Sequence, residues 1–575
     1  MSQINKNVLI NDLSPYLRQH KDNPVNWQTW TNETIELAKQ NKKPILLSIG
    51  YASCHWCHVM AHESFEDKET AEIMNKHFVN IKVDREERPD LDFVFQSSFQ
   101  LFNQTSGGWP LTVFLDENGV PFMAGTYFPK EEKSNLPSFK NVILKINEVY
   151  SNQREKILNQ SSLIRKHLEL QKNAVINQDF QPFLDDILSR LDSVNGGFKG
   201  APKFPIFNIN DTLLYFYQKN KEKKFLDPIE LIIKKLCSKG IYDHVEGGIA
   251  RYTVDENWTI PHFEKMLYDN AQFVSLISKY LKLNPNKYFE RKIKKTINFM
   301  KNNFHETKSG LLGSAYDADS DGEEGKYYVF DYNEIKHIKN IEKFFEIKPE
   351  GNWEGKIILS EIAEAPDDVI SELNKIRQKK NKPFFDSKTQ LDLNCIWLSS
   401  LISAHSVLPN EGYLSDAENL YSKIEQKFMK GNIFHSFSKN IVFLEDYAFL
   451  IQALLDLNDT TMNIKYKLKA QELSKKTLEL FYLKEKKIFQ KNKILDNDIF
   501  IAPIDISDNT TPNGNTIMLL NLTRLGMLDQ ASELASSLNG YLNKYKIFMA
   551  SSIKAVDFFN EIKSGKKCGD QGCQI

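Results

Sequence analysis

Cysteine is scarce in this chain. Six in 575 residues is too few for a disulfide framework. No apolar run reaches the ~20 residues that cross a bilayer as a helix. The opening stretch, MSQINKNVLINDLSPYLRQH, has no long apolar core of the kind a secretory leader carries. Net charge is nearly absent too. The chain has 74 Lys and Arg against 75 Asp and Glu, a balance of −1, which argues against a polyanion as main partner. These absences lead to the expectation of a cytoplasmic protein with reduced thiols and neither nucleic acid nor membrane as partner. What is present is globular: 41% apolar and 26% charged residues, enough for a large core. The length suggests roughly three or four domain-sized units. The 38 Phe and 22 Tyr suit a broad aromatic core or, less commonly, a sugar-stacking groove.

One stretch organises the rest. Lys43-Pro44 opens a short apolar run, Ile45 to Ile49; Gly50 to Ser53 is turn chemistry, and Cys54-His-Trp-Cys57 follows where a helix should begin. A buried strand that delivers C-x2-C to a helix start is the arrangement of a thioredoxin-like redox site. Free N–H groups and the positive dipole end of the helix favour thiolate over thiol. Cys54 would attack and Cys57 would resolve the mixed disulfide. His55 between them, if protonated, would lower the thiolate pKa further.

Around this stretch the local patterns line up. Thr31 can cap a helix through Lys39. Val59 to Phe78 is an interrupted helical stretch with a break near Ser64. Phe78 to Asp84 alternates as a second strand, Arg85 to Asp90 is a charged turn, and an amphipathic helix runs to Gln100. Gly107-Gly-Trp-Pro110 leads into a strand, and Val120 to Tyr127 can pair back as a hairpin. This order matches a thioredoxin fold, in which a cis-proline faces the cysteine pair. Pro110 is the candidate, since X-Pro bonds are those that readily take cis.

The runs SPYLRQH, NPVNW, LLSIGY, CHWCHVM, ESF, IKVDREERPD, GGWPLTVFLD and GTYFP closely resemble the thioredoxin-like domain of the spermatogenesis-associated protein 20-like family. The resemblance continues through most of the chain. It implies a fold but only a thin functional assignment.

Other readings of the cysteine site stay open. Cys54 to His58 also fits the C-x-x-C-H haem attachment pattern, but haem attachment normally needs export. Cys54, Cys57, His58 and His62 are ligand types suited to zinc, and on a helix starting near Cys54 the two histidines share a face. An inert structural pair is the plainest alternative. The expectation is thiol–disulfide chemistry with no metal and no cofactor.

After a polar helical connector, Ser151 to Lys172, the strands give way to about a dozen amphipathic helices. The spacing predicts them near 210–220, 226–239, 262–284, 286–304, 332–345, 366–380, 391–408, 415–430, 443–457, 464–484, 512–525, 528–540 and 550–563. About six hairpins suggest an (α/α)6 toroid, a cyclic relative of helical-pair solenoids. This region also resembles the family's C-terminal part, which implies the six-hairpin glycosidase and N-acylglucosamine 2-epimerase fold. The fold class expected is therefore an α/β thioredoxin-like domain over residues 1–175, an all-α toroid over 176–565, and a flexible C-x4-C tail over 566–575.

The toroid loops carry polar groups. Asp243, His244, Arg251 and Asp255 lie on one Gly-rich loop. Pro261 suits the first turn of a following helix, which would bring His262, Lys265 and Asp269 to one face and place Glu264 beside them. General acid/base work on a sugar is the functional reading; a buried ion-pair network is the structural one. Ala315-Tyr-Asp317-Ala-Asp319-Ser-Asp321-Gly322 starts like a calcium loop, but Tyr328 stands where the bidentate Glu belongs. The resemblance implies an inner-rim loop there, and a further match around Asp446. Two departures stand out. Ser387 replaces the second of two acids before Lys388, and Leu393-Asn394-Cys395 replaces Trp-Asn-Gly. If that segment lines a sugar pocket, activity there is altered or lost. Cys237 and Cys395 read as core; Cys568 and Cys573 read as a frayed end, with a labile disulfide as the alternative.

The leading expectation is a thiol–disulfide oxidoreductase acting on a protein or small-molecule disulfide through Cys54, Cys57 and Pro110, with the toroid selecting the substrate. The second is a carbohydrate-active enzyme, an epimerase or hydrolase, in which the thioredoxin-like domain is a scaffold. A non-catalytic binding protein is the third.

Overall fold

The computed structural model describes residues 6–133, 136–169, 179–494, 496 and 498–565. Cys568 and Cys573 lie outside the described residues. The chain divides into two compact units: Met1–Gln171 with His435–Phe443 and Gln490–Asp505, and the remainder.

In the first unit the cap expected at Thr31 forms, and Ser14 caps a helix as well. Ser14 accepts the Leu17 N–H at the start of α1 (Pro15–Gln19), and Thr31 accepts that of Thr34 at the start of α2 (Asn32–Asn41). β1 (Ile45–Gly50) leads to α3 (His55–Met60). A π turn over Ala61–Phe65 supplies the break expected near Ser64, and Asp67 caps α4 (Lys68–His77). Then follow β2 (Val79–Asp84), α5 (Pro89–Asn103), β3 (Leu111–Leu115), β4 (Pro121–Gly125) and α6 (Phe139–Leu168). The sheet runs β2-β1-β3-β4. β1 and β2 are parallel; β3 lies antiparallel to β1, and β4 to β3.

Both faces of this sheet are covered, so period 2 sorts residues between two cores. Ile45, Leu47 and Ile49 join Val79, Ile81 and Val83 under α2 and α5. Leu46 faces the other way, toward Tyr16, Cys57, Phe65 and α6.

The charged turn Arg85–Asp90 is buried, and the reason lies far along the chain. His435 Nε2 bonds the Glu86 carbonyl at 2.8 Å, the Ser436 hydroxyl donates to the Glu87 carboxylate, and Asn492 Nδ2 donates to Asp90 Oδ2 at 2.8 Å. Arg88 holds Asp90 and Asp498, each at 2.7 Å. Two late segments thus complete the first unit, which a linear division near residue 175 does not foresee.

The second unit is helical: α7 (Gln181–Arg190), α8 (Phe207–Asn220), α9 (Lys223–Ser238), α10 (Leu267–Leu281), α11 (Lys287–Asn303), α12 (Tyr332–Ile335), α13 (Asp367–Arg377), α14 (Leu391–His405), α15 (Tyr413–Phe428), α16 (Leu444–Thr461), α17 (Ile464–Phe481), α18 (Gly514–Arg524), α19 (Leu528–Asn539), α20 (Leu542–Tyr545) and α21 (Ala550–Lys563). Six of them, α8, α10, α14, α16, α18 and α21, each pack on the next, and α21 returns to α8. That closes an inner ring. α9, α11, α15, α17 and α19 back it from outside, and the turn before α21 packs on α7. Burial follows position. α10 is buried nearly all round, whereas α11 buries a stripe through Phe289, Ile293, Ile297 and Met300. This is an (α/α)6 toroid.

Two expectations are corrected. No helix spans 332–345; α12 is a single turn, followed by a 3-10 turn over Ile341–Lys343. The helix expected from Pro261 starts at Leu267. His262 N–H donates to the Tyr252 carbonyl and Arg251 N–H to that of Glu264, while Lys265 and Met266 pair with Tyr316 and Ala315. Ladder pairing claims these backbone groups before helix can form, so His262, Lys265 and Asp269 do not share a helix face.

Candidate functional site

Each unit carries a concentration of polar groups. In the first, β1 is buried along its whole length and aims Tyr51–Ser53 at the helix start. Cys54 is the residue before α3, and its Sγ accepts the Cys57 N–H at 3.2 Å, a contact that favours the thiolate once the pair is reduced. The two sulfurs are joined as a disulfide, S–S 2.19 Å. Cys54 is 3% exposed and Cys57 2%, while Trp56 between them is 48% exposed. The Trp56 ring lies 5.1 Å from that of Tyr127, whose hydroxyl donates to Glu63 Oε2 at 2.5 Å. Burial, and then Glu63, push the Tyr127 phenol above its ordinary pKa.

The Trp109–Pro110 bond is cis. Trp109 stands edge-on to Tyr51 at 5.8 Å, donates from Nε1 to Asp92 Oδ1 at 2.8 Å, and is covered by the Arg85 guanidinium at 3.9 Å. Arg85 Nε donates to the other oxygen of Asp92 at 3.1 Å. The residue before Pro110 is thereby fixed against the loop that delivers Cys54. His62 is turned to Glu66, Nδ1 to Oε1 2.9 Å.

Below the cysteines lies a group the sequence reading passed over. Lys82 of β2 is 1% exposed. Its nitrogen bonds Ser48 Oγ at 2.9 Å and sits 4.4 Å from the Phe65 ring centre and 5.2 Å from those of Tyr16 and Trp27. Burial lowers its pKa well below that of an ordinary lysine. The signal was in the sequence: Asn80, Lys82 and Asp84 alternate with Val79, Ile81 and Val83 in a strand buried on both faces.

In the toroid, Asp243 and Lys265 meet at 2.7 Å, and Arg377, from the end of α13, closes on the same carboxylate. Burial raises the Asp243 carboxyl, but Arg377 and Lys265 outweigh it and hold it far below the usual carboxylate range. His244 is buried against Lys239 O and Lys292; burial first, then Lys292, lowers its pKa. Asp255 caps a turn through the N–H groups of Asn257, Thr259 and Ile260. A second cluster joins Arg251 to Glu264 at 3.4 Å and His262 Nδ1 to Glu264 at 3.6 Å. Asp269 is buried nearby. Burial raises its carboxyl well above the ordinary value, Arg251 opposes and Glu264 reinforces. Two neighbouring carboxyls, one with a raised proton affinity, are a pairing suited to proton transfer. Asp317 Oδ1 accepts the Asp319 N–H at 3.2 Å, and Asp319 pairs with Glu324 in a short hairpin. Asp446 is buried in the first turn of α16.

A cavity of about 260 Å³ opens among the inner helices, and most of its charges are paired. Asp211 takes Lys279 at 2.6 Å and also Lys554, while Arg524 spans Asp456 and Asp459, each at 2.8 Å. None of the toroid residues singled out in sequence is on this wall. The lining residues fall on four or more helices far apart in the chain, so no local spacing marks them.

A thioredoxin-like unit carrying a C-x2-C disulfide, joined in one chain to an (α/α)6 toroid, defines the class. A family model described as "Protein of unknown function, DUF255" (Thioredox_DsbH) matches residues 6–169. An uncharacterized protein of Caenorhabditis elegans, B0495.5, is 32% identical, covering 91% of this chain and 81% of its own. The human spermatogenesis-associated protein 20 is 28% identical, covering 98% of this chain and 82% of its own. The chain belongs to the spermatogenesis-associated protein 20 family. Among solved structures, cellobiose 2-epimerase from Bacillus thermoamylovorans is similar to 66% of this chain over 95% of its own, at 12% identity and TM-score 0.44. D-mannose isomerase is similar to 68% over 99%, at 12% identity and TM-score 0.44. Among the described residues no helix is long and apolar enough to cross a membrane.

Proposed function

We propose that the protein is a thiol–disulfide oxidoreductase working through Cys54 and Cys57. The observation that carries this reading is the Cys54 sulfur, which precedes a helix, accepts the Cys57 N–H at 3.2 Å and is bonded to the Cys57 sulfur. In the reduced protein the Cys54 thiolate attacks a substrate disulfide; one substrate sulfur leaves as a thiolate and takes a proton from water. The Cys57 thiolate then attacks Cys54 Sγ and the second substrate thiol departs. The substrate disulfide is reduced to two thiols and the enzyme dithiol is oxidised. A partner dithiol returns the enzyme to its starting state, and the reverse sequence oxidises dithiols. Burial of both cysteines favours a narrow substrate, a small disulfide or one extended strand of a protein, entering beside Trp56. The test is Cys57→Ser: it should accumulate mixed disulfides on Cys54 that a reductant releases and that Cys54→Ser lacks. Absence of trapped partners, together with no reaction toward small disulfides, would sink the reading.

A second reading, sugar chemistry in the toroid, is favoured by the raised Asp269 carboxyl near Glu264, which His262 also approaches. It expects sugar turnover that His262→Ala abolishes and Cys54→Ser leaves intact. A broad sugar panel with no turnover counts against it.

A further inference from the structure

Ser48 and Gly50 of β1 and Lys82 and Asp84 of β2 stand side by side in register, on the face that packs beneath α1 and α3. Over them lies Tyr16, from the Ser14-Pro-Tyr-Leu motif that the redox reading leaves without a role. Tyr16 is fully buried, and its hydroxyl makes no hydrogen bond among the described residues. Burying a hydroxyl without a partner forfeits its hydration, so this placement calls for a reason.

Gly50 supplies one. A Cβ on Gly50 would lie 2.2 Å from the Tyr16 hydroxyl oxygen and 2.7 Å from the Cys57 sulfur. The two atoms therefore face each other across the space that glycine leaves, at most about 4.9 Å apart. A disulfide sulfur is a weak acceptor, and a thiolate is a strong one. We propose that in the reduced protein the Tyr16 hydroxyl donates a hydrogen bond to the Cys57 sulfur, making Tyr16 a positioning residue for the resolving thiolate.

The proposal deepens the dithiol reading above and rests on it. During resolution Cys57 loses its proton to water, Tyr16 keeps its own, and the Cys57 electron pair forms the new bond to Cys54 as the Cys54–substrate bond breaks. The other titratable groups around this space are His20, Lys82, Asp84 and, next to His20, His58. Lys82 and His20 already bond Ser48 and Asn23. Burial favours the neutral forms of Lys82 and His20, and the Tyr16 hydroxyl, without a hydrogen bond of its own among the described residues, faces the Cys57 sulfur.

The experiment uses the full chain with Cys54→Ser, so that Cys57 is a free thiol. Thiolate absorbance near 240 nm is followed against pH, and protein lacking both cysteines subtracts the remaining four. Tyr16→Phe keeps the ring packing and removes only the hydroxyl. It should raise the Cys57 midpoint by about one pH unit, a tenfold loss of thiolate at a fixed pH below the midpoint. 3-Fluorotyrosine at position 16, a stronger donor, should lower the midpoint. In protein with both cysteines, Tyr16→Phe should slow mixed-disulfide resolution about tenfold at pH 7 and leave the first attack by Cys54 unchanged. A merely structural role would move none of these. Midpoints that coincide across all three side chains overturn the proposal. If the midpoints shift but no disulfide reacts with Cys54, the hydrogen bond stands and the oxidoreductase reading fails.

Discussion

Arg377 and Asp243 are 134 positions apart, yet Arg377 Nη1 donates to both oxygens of the Asp243 carboxylate, at 2.6 and 2.8 Å, in the buried interior of the toroid. The contact ties the end of α13 to the Gly-rich loop before α10, with Lys265 as third member.

Arg377→Met leaves that carboxylate with the Lys265 ammonium and the Val245 and Glu246 N–H groups. Breaking one side of a buried charge network costs about 3 kcal/mol or more, and urea unfolding of the toroid should show it. The pH dependence has a definite sign. The folded Asp243 pKa lies below the unfolded value, so its contribution is present above roughly pH 4 and is lost as pH falls from there. Arg377→Met should flatten this acid limb. An unchanged acid limb would show that Asp243 is not held by Arg377.

Asp508 behaves in the opposite sense. Burial lifts its carboxyl to about 6, against the hydrogen bonds from Ser551 N–H at 2.7 Å and Asn513. A folded pKa above the unfolded one means the folded state holds the proton more tightly, so stability declines as pH rises from about 4 through 6 and levels off above. Asp508→Asn should remove this slope and be at least as stable as the parent at pH 7. Melting curves at a series of pH values test it, and parallel profiles would contradict it.

Lys295 should be an unusually reactive amine. Burial and then Lys292 bring its pKa down to about 8, while the nitrogen donates to the His244 carbonyl. At pH 8 it is neutral far more often than an exposed lysine. Limited acylation followed by peptide mapping should place it among the first lysines modified, and the preference should fade above pH 10.

Gly50→Ala should disturb the redox unit. Its methyl would fall 2.2 Å from the Tyr16 hydroxyl and 2.7 Å from Cys57 Sγ, and overpacking of this kind costs about 1–3 kcal/mol. Thermal melts report the cost. Retained stability and retained Cys57 reactivity together would mean that the space is softer than the geometry implies.

Legibility in the sequence followed locality. The Thr31 cap, the alternation of β2, and the C-x2-C after a buried strand are all set by residues within a few positions. So are most toroid helices, which declare themselves through apolar stripes such as that of α11. The start of α10 was misread because Pro261 suits a first turn, whereas pairing with Thr253 and Tyr252 decides its conformation. Arg377 could not be assigned to Asp243, nor Asp498 to Arg88, because the partners are hundreds or scores of residues away. Lys82 was different: its alternation was visible, and the surprise is that a charged position in an apolar strand is covered on both faces.

The late segments that seal the Arg85–Asp90 turn also impose an order on biosynthesis. His435, Ser436, Asn492 and Asp498 reach Glu86, Glu87, Asp90 and Arg88 only after the ribosome has made most of the toroid. A nascent chain halted near residue 171 would carry Cys54 and Cys57 with this turn still unsealed, since three of its sealing contacts come from residues 435–436 and 492 and a fourth from 498.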